Sequence, residues 1–361
     1  VTFTHAAVPT GATATFTITV KVDQTLQPGT PITNVAGIQS SIPEPAGGTE
    51  NNAGSAGMTV NASCYELNVI YAADTFNHRI QKFDGIRWTI VGKGTAGSAL
   101  GQFRSPKAVT ASRDGQRIYV ADTENNRIQW STNGGTTWAV FAAVGSSLNQ
   151  VREPHALALD IDGNLYVADN GNDRVIRFNG GLPGSSVVLA TLGPTGGKVQ
   201  DPRGLAIDCY YNLYIADNEN SRILKLSNAN TVTQPNLAQQ IAGVGAGTAP
   251  IGQVRQPEGI AVDGFNNLYI ADTANNRVIM FPTQGPQGVN PGESPAILVA
   301  NAGAIPGNVR YLEGITITSF TQGPLAGGSS LIISDSLNSR IQGRMLNGTT
   351  WTVLGDIGTS V

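Results

Sequence analysis

Hydrophobic and polar positions alternate in short runs along most of the chain, each run closed by Gly, Asn or Asp, and apolar periodicity of the helical kind is lacking. That pattern predicts short β-strands joined by tight turns. The stretch "VADNGNDRVIRF" at 167–178 shows the unit: two β-branched runs flank a polar hinge that carries Asp169, Asn172 and Arg174. Taken alone, the three polar residues suit an ion pair, a turn or part of an active site. The same stretch recurs as "AADTFNHRIQKF", "VADTENNRIQWS", "IADNENSRILKL", "IADTANNRVIMF" and "ISDSLNSRIQGR", aligned without a gap.

Each copy has Asp, then Asn three positions on, then Arg five positions on. The acids are Asp74, Asp122, Asp169, Asp217, Asp272 and Asp335. The amides are Asn77, Asn125, Asn172, Asn220, Asn275 and Asn338, and the bases are Arg79, Arg127, Arg174, Arg222, Arg277 and Arg340. The copies are spaced 47–48 residues apart at first, then 55 and 63. Upstream of five copies stands a second element, "SPKAVTAS", "EPHALALD", "DPRGLAID", "QPEGIAVD" or "YLEGITIT". Downstream of the copies a short apolar strand runs to Gly, as in "WTIVG", "SVVLATLG" and "WTVLGDIG". Four short antiparallel strands in each unit of this length make a propeller blade, and six units make a ring.

The Pro-x-Gly-[Leu/Ile]-Ala-[Val/Ile]-Asp and Ala-Asp-x-x-Asn-x-Arg-[Ile/Val] elements resemble the NHL repeat over roughly residues 58–356. Blade six departs from the pattern with Leu312 in place of Pro and Thr in place of the strand-end Asp, and blade two has Ala108 in place of Gly. A residue present in every blade serves the blade, because one functional site does not need six copies. The Asp is therefore expected to cap N–H groups of the turn that follows it, and the Arg to pair with that Asp or with a neighbouring blade.

Composition narrows the function. Charged residues make up 13% of the chain, about half the usual share, and the net charge is −3. With six lysines in the whole chain, clustered phosphate binding and hence nucleic acid as a partner are not expected. No run of 18 apolar residues occurs, so membrane insertion by a helix is not expected. The chain starts with Val, which reads as a mature or partial product. Cys64 and Cys209 fall at nearly equivalent turns of blades one and four, opposite each other in a six-fold ring, and are expected not to pair within the chain.

Function is expected where the repeats differ. The variable residue of the Pro-x-Gly element opens the innermost strand, and in blades two to six it is Lys107, His155, Arg203, Glu258 and Glu313. Three bases in adjacent blades would face two acids around the channel mouth. Two readings stand: a polarised mouth that binds a charged peptide tail or small ligand, or neutralising ion pairs around a wet channel. Arg104, Arg152, Arg255 and Arg310 precede the element in four of five blades and read as structural by their repetition. "DIDGN" at 160–164 begins like a calcium loop but lacks the later Glu and reads as a β-turn. Some NHL-type propellers are lyases with three zinc-binding His on the channel. Here only His5, His78 and His155 exist, and only His155 falls on an inner strand, so neither zinc nor another cofactor is expected.

Residues 12–22, "ATATFTITVKV", alternate as a half-buried strand, and "PITNVAGIQS" and "NNAGSAGMTV" add two more. The series Gly-Ala-x-x-x-Phe-Thr-Ile-Thr-Val, Ile-Thr-Asn-x-Ala, Asn-Asn is similar to the second half of an Ig-like repeat of bacterial surface proteins. The expected architecture is thus all-β: a partial Ig-like β-sandwich over 1–57, joined without a flexible linker to a six-bladed NHL-type β-propeller over 58–361. A half-sandwich leaves an apolar face open, which truncation explains, or which a protein partner or identical subunit covers by strand donation, head to tail in a filament. The implied role is a non-catalytic scaffold or binding module of an extracellular or cell-surface assembly, bacterial in origin. A lyase or lactonase at the propeller mouth and a ligand-sensing ectodomain are the rivals.

Overall fold

The computed structural model describes residues 31–37, 53–59, 69–244, 252–282, 297–303, 306–320, 322–326, 328–338 and 340–356. The chain divides into two compact units, residues 1–62 and 63–361. In the first, strands Pro31–Gly37 and Ala53–Thr59 pair antiparallel, with Pro31 opposite Thr59 and Gly37 opposite Ala53. The strand expected over 12–22, the sandwich it would belong to and the assembly edge expected of that sandwich lie outside the described residues.

The second unit is a six-bladed propeller built from six separate sheets. Blade three is typical: Pro154–Leu159 innermost, then Leu165–Asp169, Arg174–Phe178 and Ser186–Ala190, all antiparallel. Among the described residues blade one has three strands, Ile70–Asp74, Arg79–Phe83 and Trp88–Val91. The stretch where its innermost strand would fall precedes Val69 and lies outside the described residues.

The Asp-Asn-Arg motif holds each blade to the loop that leads into it. The Arg sits directly across from the Asp in the ladder, and Nε donates to Oδ2 at 2.6–2.7 Å in all six blades. The Asn folds back over a short turn, 3₁₀ in every blade but the fourth, and donates Nδ2 to the same carboxylate. One expectation fails: in blades one, two, three and five the Asp makes no side-chain cap of the turn that follows. Instead, in blades two to six, Oδ1 accepts a backbone N–H from the lead-in loop of its own blade. The donors are Arg104 to Asp122, Arg152 to Asp169, Gln200 to Asp217, Arg255 to Asp272 and Arg310 to Asp335, at 2.6–2.8 Å. The carboxylate is thereby engaged by the Arg, the Asn and this amide, and in blades two and six also by Gln129 and Gln342, which takes up most of its acceptor capacity.

The guanidinium completes the clamp. Arg174 Nη2 donates to the Gln150 carbonyl, Arg222 to Lys198, Arg277 to Gln253 and Arg340 to Asn308, all within the lead-in loops. Just beyond these carbonyls, or one residue away, each loop buries one apolar anchor, Phe103, Val151, Val199, Val254 or Val309. The repeated Arg104, Arg152, Arg255 and Arg310 therefore serve through their backbone amides, and their side chains are exposed.

A second set of bonds ties each blade to the next. In blades one to five the residue after the Asn has a left-handed conformation, and its side chain accepts the backbone N–H of the residue before the Pro-x-Gly element of the following blade. His78 accepts from Ser105, Asn126 from Glu153, Asp173 from Asp201, Ser221 from Gln256 and Asn276 from Tyr311. The donors themselves have φ of 43–53°, a strained conformation away from glycine. His78 is thus a coupler between blades one and two.

Apolar burial lies between blades. Six clusters fill the six joints, and the one that closes the ring packs Ile70 and Phe83 of blade one against Phe320, Leu325 and Ile332 of blade six. Trp88 stacks on Phe83, and its Nε1 donates to the Leu354 carbonyl of blade six at 3.0 Å. On the lower face, Asp160 accepts from the Asn164 backbone and side chain and from the Tyr166 hydroxyl, so its oxygens are spent on the turn. Asp263 repeats the arrangement with Asn267 and Tyr269.

Cys209 is disulfide-bonded, which corrects the expectation that it stays unpaired. That expectation rested on assigning Cys64 to a blade-one turn, and Cys64 lies outside the described residues, before the first described strand of that blade.

Breaking the clamp has a stated cost. Asp217→Ala leaves Arg222, itself buried, without its carboxylate, and is expected to lower stability by about 3–5 kcal/mol in urea unfolding. A loss below about 1 kcal/mol would show that the pair is dispensable. Gly204→Ala would drive its Cβ into the backbone carbonyl of Glu258 and is expected to cost about 1–3 kcal/mol. An unchanged denaturation midpoint would contradict that close approach.

Candidate functional site: the channel mouth

The inner strands of blades two to six converge on a central cavity of about 750 Å³, within the range of small-ligand pockets. The Pro-x-Gly pattern is part of the reason they converge so tightly. Gly204 and Gly259 let neighbouring inner strands approach backbone to backbone, with Cβ positions blocked by Glu258 on one side and by Glu313 and Ile315 on the other. The cavity walls are partly apolar, with Leu157, Leu205 and Ile260 keeping 5–8% exposure beside Thr110, Thr316 and Ser334. The upper rim carries Lys107, His155, Arg203, Glu258 and Glu313, all lining the same cavity.

The rim's electrostatics differ from three bases facing two acids. Arg203 donates Nη1 to Glu258 at 2.6 Å and Nε to Asp201 at 3.0 Å. Burial works against its charge, but Asp201 and Glu258 together hold the guanidinium above its ordinary range. Burial pushes the Glu258 carboxyl up, Arg203 pulls it back, and Glu313 adds repulsion. His155 is pushed down to about 4, first by burial and then by Arg203 and Lys107, with Asp201 pulling weakly the other way. At neutral pH it is an uncharged imidazole. Neither Lys107 nor Glu313 has an ion-pair partner among the described residues.

Two contributors escaped the sequence reading. Tyr311, 41% exposed, lines the cavity, and its hydroxyl is held protonated by the Glu258 charge and by burial. Asp201 orients Arg203. Both occupy the position before the Pro-x-Gly element, where Ser105, Glu153 and Gln256 stand in other blades. The variation along that column was the available signal. His78 is bonded to Ser105 at a blade joint, and among the described residues no cluster of three His, Cys, Asp or Glu is arranged to hold a metal ion.

Residues 103–130 match the NHL repeat. They span the lead-in loop and the first three strands of blade two. No curated protein matches the chain in sequence. Among solved structures, a chain of a nidogen/laminin complex shares 17% identity at a TM-score of 0.53, covering 78% of this chain and 90% of its own. A catalytically inactive virginiamycin B lyase from Staphylococcus aureus with quinupristin shares 14% at a TM-score of 0.50, covering 82% and 85%. These likenesses establish the all-β six-bladed propeller and, at such identities, the fold alone.

The His155 environment fixes a pH response. Its pKa is lower folded than unfolded, so its contribution to stability is complete above about pH 6.5 and is lost as the pH falls toward 4. At pH 4.5 wild type is expected to lose about 2–3 kcal/mol more, relative to pH 7, than His155→Gln loses. Parallel stability curves for the two proteins would contradict a buried neutral imidazole.

Proposed function

We propose that the propeller is a non-catalytic binding module that takes a ligand at its upper mouth. The observation that carries this reading is a cavity of about 750 Å³ with partly apolar walls and a charged, partly buried rim. That combination suits retention of a ligand: the walls desolvate it and the few polar groups orient it. Arg203 is paired with Glu258 and Asp201, and burial beside Arg203 and Lys107 leaves His155 uncharged.

The likeness to a propeller from a nidogen/laminin complex supports a binding role, and the disulfide at Cys209 supports a location outside the reducing cytosol. On this reading the protein is an extracellular or surface module. The likeness to a lyase keeps the enzyme as the second reading, with His155 as its general base. No helix among the described residues is long and apolar enough to cross a membrane.

A fragment and peptide screen by ligand-observed NMR tests the reading. Hits are expected to vanish in Glu313→Trp, which obstructs the rim without entering a core cluster, and to be recovered chemically unchanged after prolonged incubation. Turnover of a hit would favour the enzyme. Hits indifferent to the Trp would remove the mouth as the site.

A further inference from the structure

Ligand chemistry at the mouth follows from which rim charges are left over. Arg203 is neutralised by Asp201 and Glu258, and His155 is uncharged. One ammonium, Lys107 in blade two, and one carboxylate, Glu313 in blade six, remain, both lining the cavity. Both line the same cavity as Glu258. A simple anion drawn to Lys107 would meet Glu258 and Glu313 on that rim. A simple cation drawn to Glu313 would meet Lys107. A molecule that carries both charges satisfies both ends at once and leaves the rim's net charge unchanged.

Below the rim the walls mix aliphatic and polar groups. Leu157, Leu205, Ile260 and Ile315 line the cavity beside Thr110, Thr316 and Ser334, and each inner strand is the edge of its sheet, laddered on one side alone. Apolar side chains gain by leaving water against the aliphatic residues, and a peptide group finds backbone partners at the strand edges. The Tyr311 hydroxyl, kept protonated, adds one rim donor beside Glu258.

Building on the proposed binding role, we infer that the mouth binds a small apolar zwitterion of the dipeptide class, its carboxylate on Lys107, its ammonium on Glu313 and its side chains against the channel wall. Rim charges of this kind act partly desolvated, so each contributes more than an exposed pair does.

Isothermal titration calorimetry of the full chain at about pH 6.5, where both ends of a dipeptide are charged, tests this with four ligands: leucyl-phenylalanine, its N-acetyl form, its C-terminal amide and the doubly blocked form. Blocking either end is expected to weaken binding tenfold or more, and blocking both to abolish it. Lys107→Met should bind the free acid and the amide alike, and Glu313→Gln should bind the free amine and the acetyl form alike. Equal affinity for all four peptides would overturn the zwitterion and leave the mouth as a binding site. No binding by any of them would also overturn it, and the NMR screen with Glu313→Trp then decides the broader reading separately. If either rim variant melts below wild type, the four-ligand series on wild type alone decides between these outcomes.

Discussion

Everything in the propeller hangs on one buried carboxylate per blade. Each of Asp122, Asp169, Asp217, Asp272 and Asp335 holds an Arg, an Asn and a lead-in amide at once, within hydrogen-bonding distance of all three. A charge without partners in that setting would cost several kcal/mol. Because its partners come from the second strand, the third strand and the loop before the first, the carboxylate sets where a blade begins. The loop also ends the preceding blade's outer strand, as where Gly145 donates to Val151 and Gly303 to Val309. One acid therefore sets the spacing between successive blades.

That spacing in turn makes the core. Blades are too thin to bury an apolar face alone, and the six clusters lie between them rather than within them. Closing the ring buries the last joint, where Phe83, Trp88 and Phe320 meet in one aromatic group. The couplers His78, Asn126, Asp173, Ser221 and Asn276 bridge the same joints with a polar bond and help keep the strained lead-in residues in place. The strain is offset by a bond that only the assembled ring supplies.

The channel is a by-product of this packing that acquires chemistry at its rim. Gly204 and Gly259 let the inner strands approach closely, and the charged side chains that vary between blades stand at the strand starts. Low dielectric at the rim then redistributes charge. His155 gives up its proton, Arg203 is bound on two sides, and the visible excess of bases becomes a balanced pair of residues.

The repeat, the blade and the number of blades were legible in the chain, because strand alternation and turn chemistry are local and were written six times. The channel's polar positions could be anticipated only as far as their column in the repeat reveals them: Lys107, His155, Arg203, Glu258 and Glu313 were named, and Tyr311 was missed. Their charge states were not legible, since proton affinity depends on burial and on neighbours from other blades. The direction of the Asp carboxylate was misjudged for a like reason, its third partner lying 17–18 residues upstream in blades two to five, beyond any turn. The disulfide at Cys209 was likewise beyond reach, because pairing depends on where chain segments meet in space. Local pattern determined the elements and their count. Tertiary packing decided which groups share a lone pair, which stay charged and which meet, because those quantities are set by distance and exclusion of water.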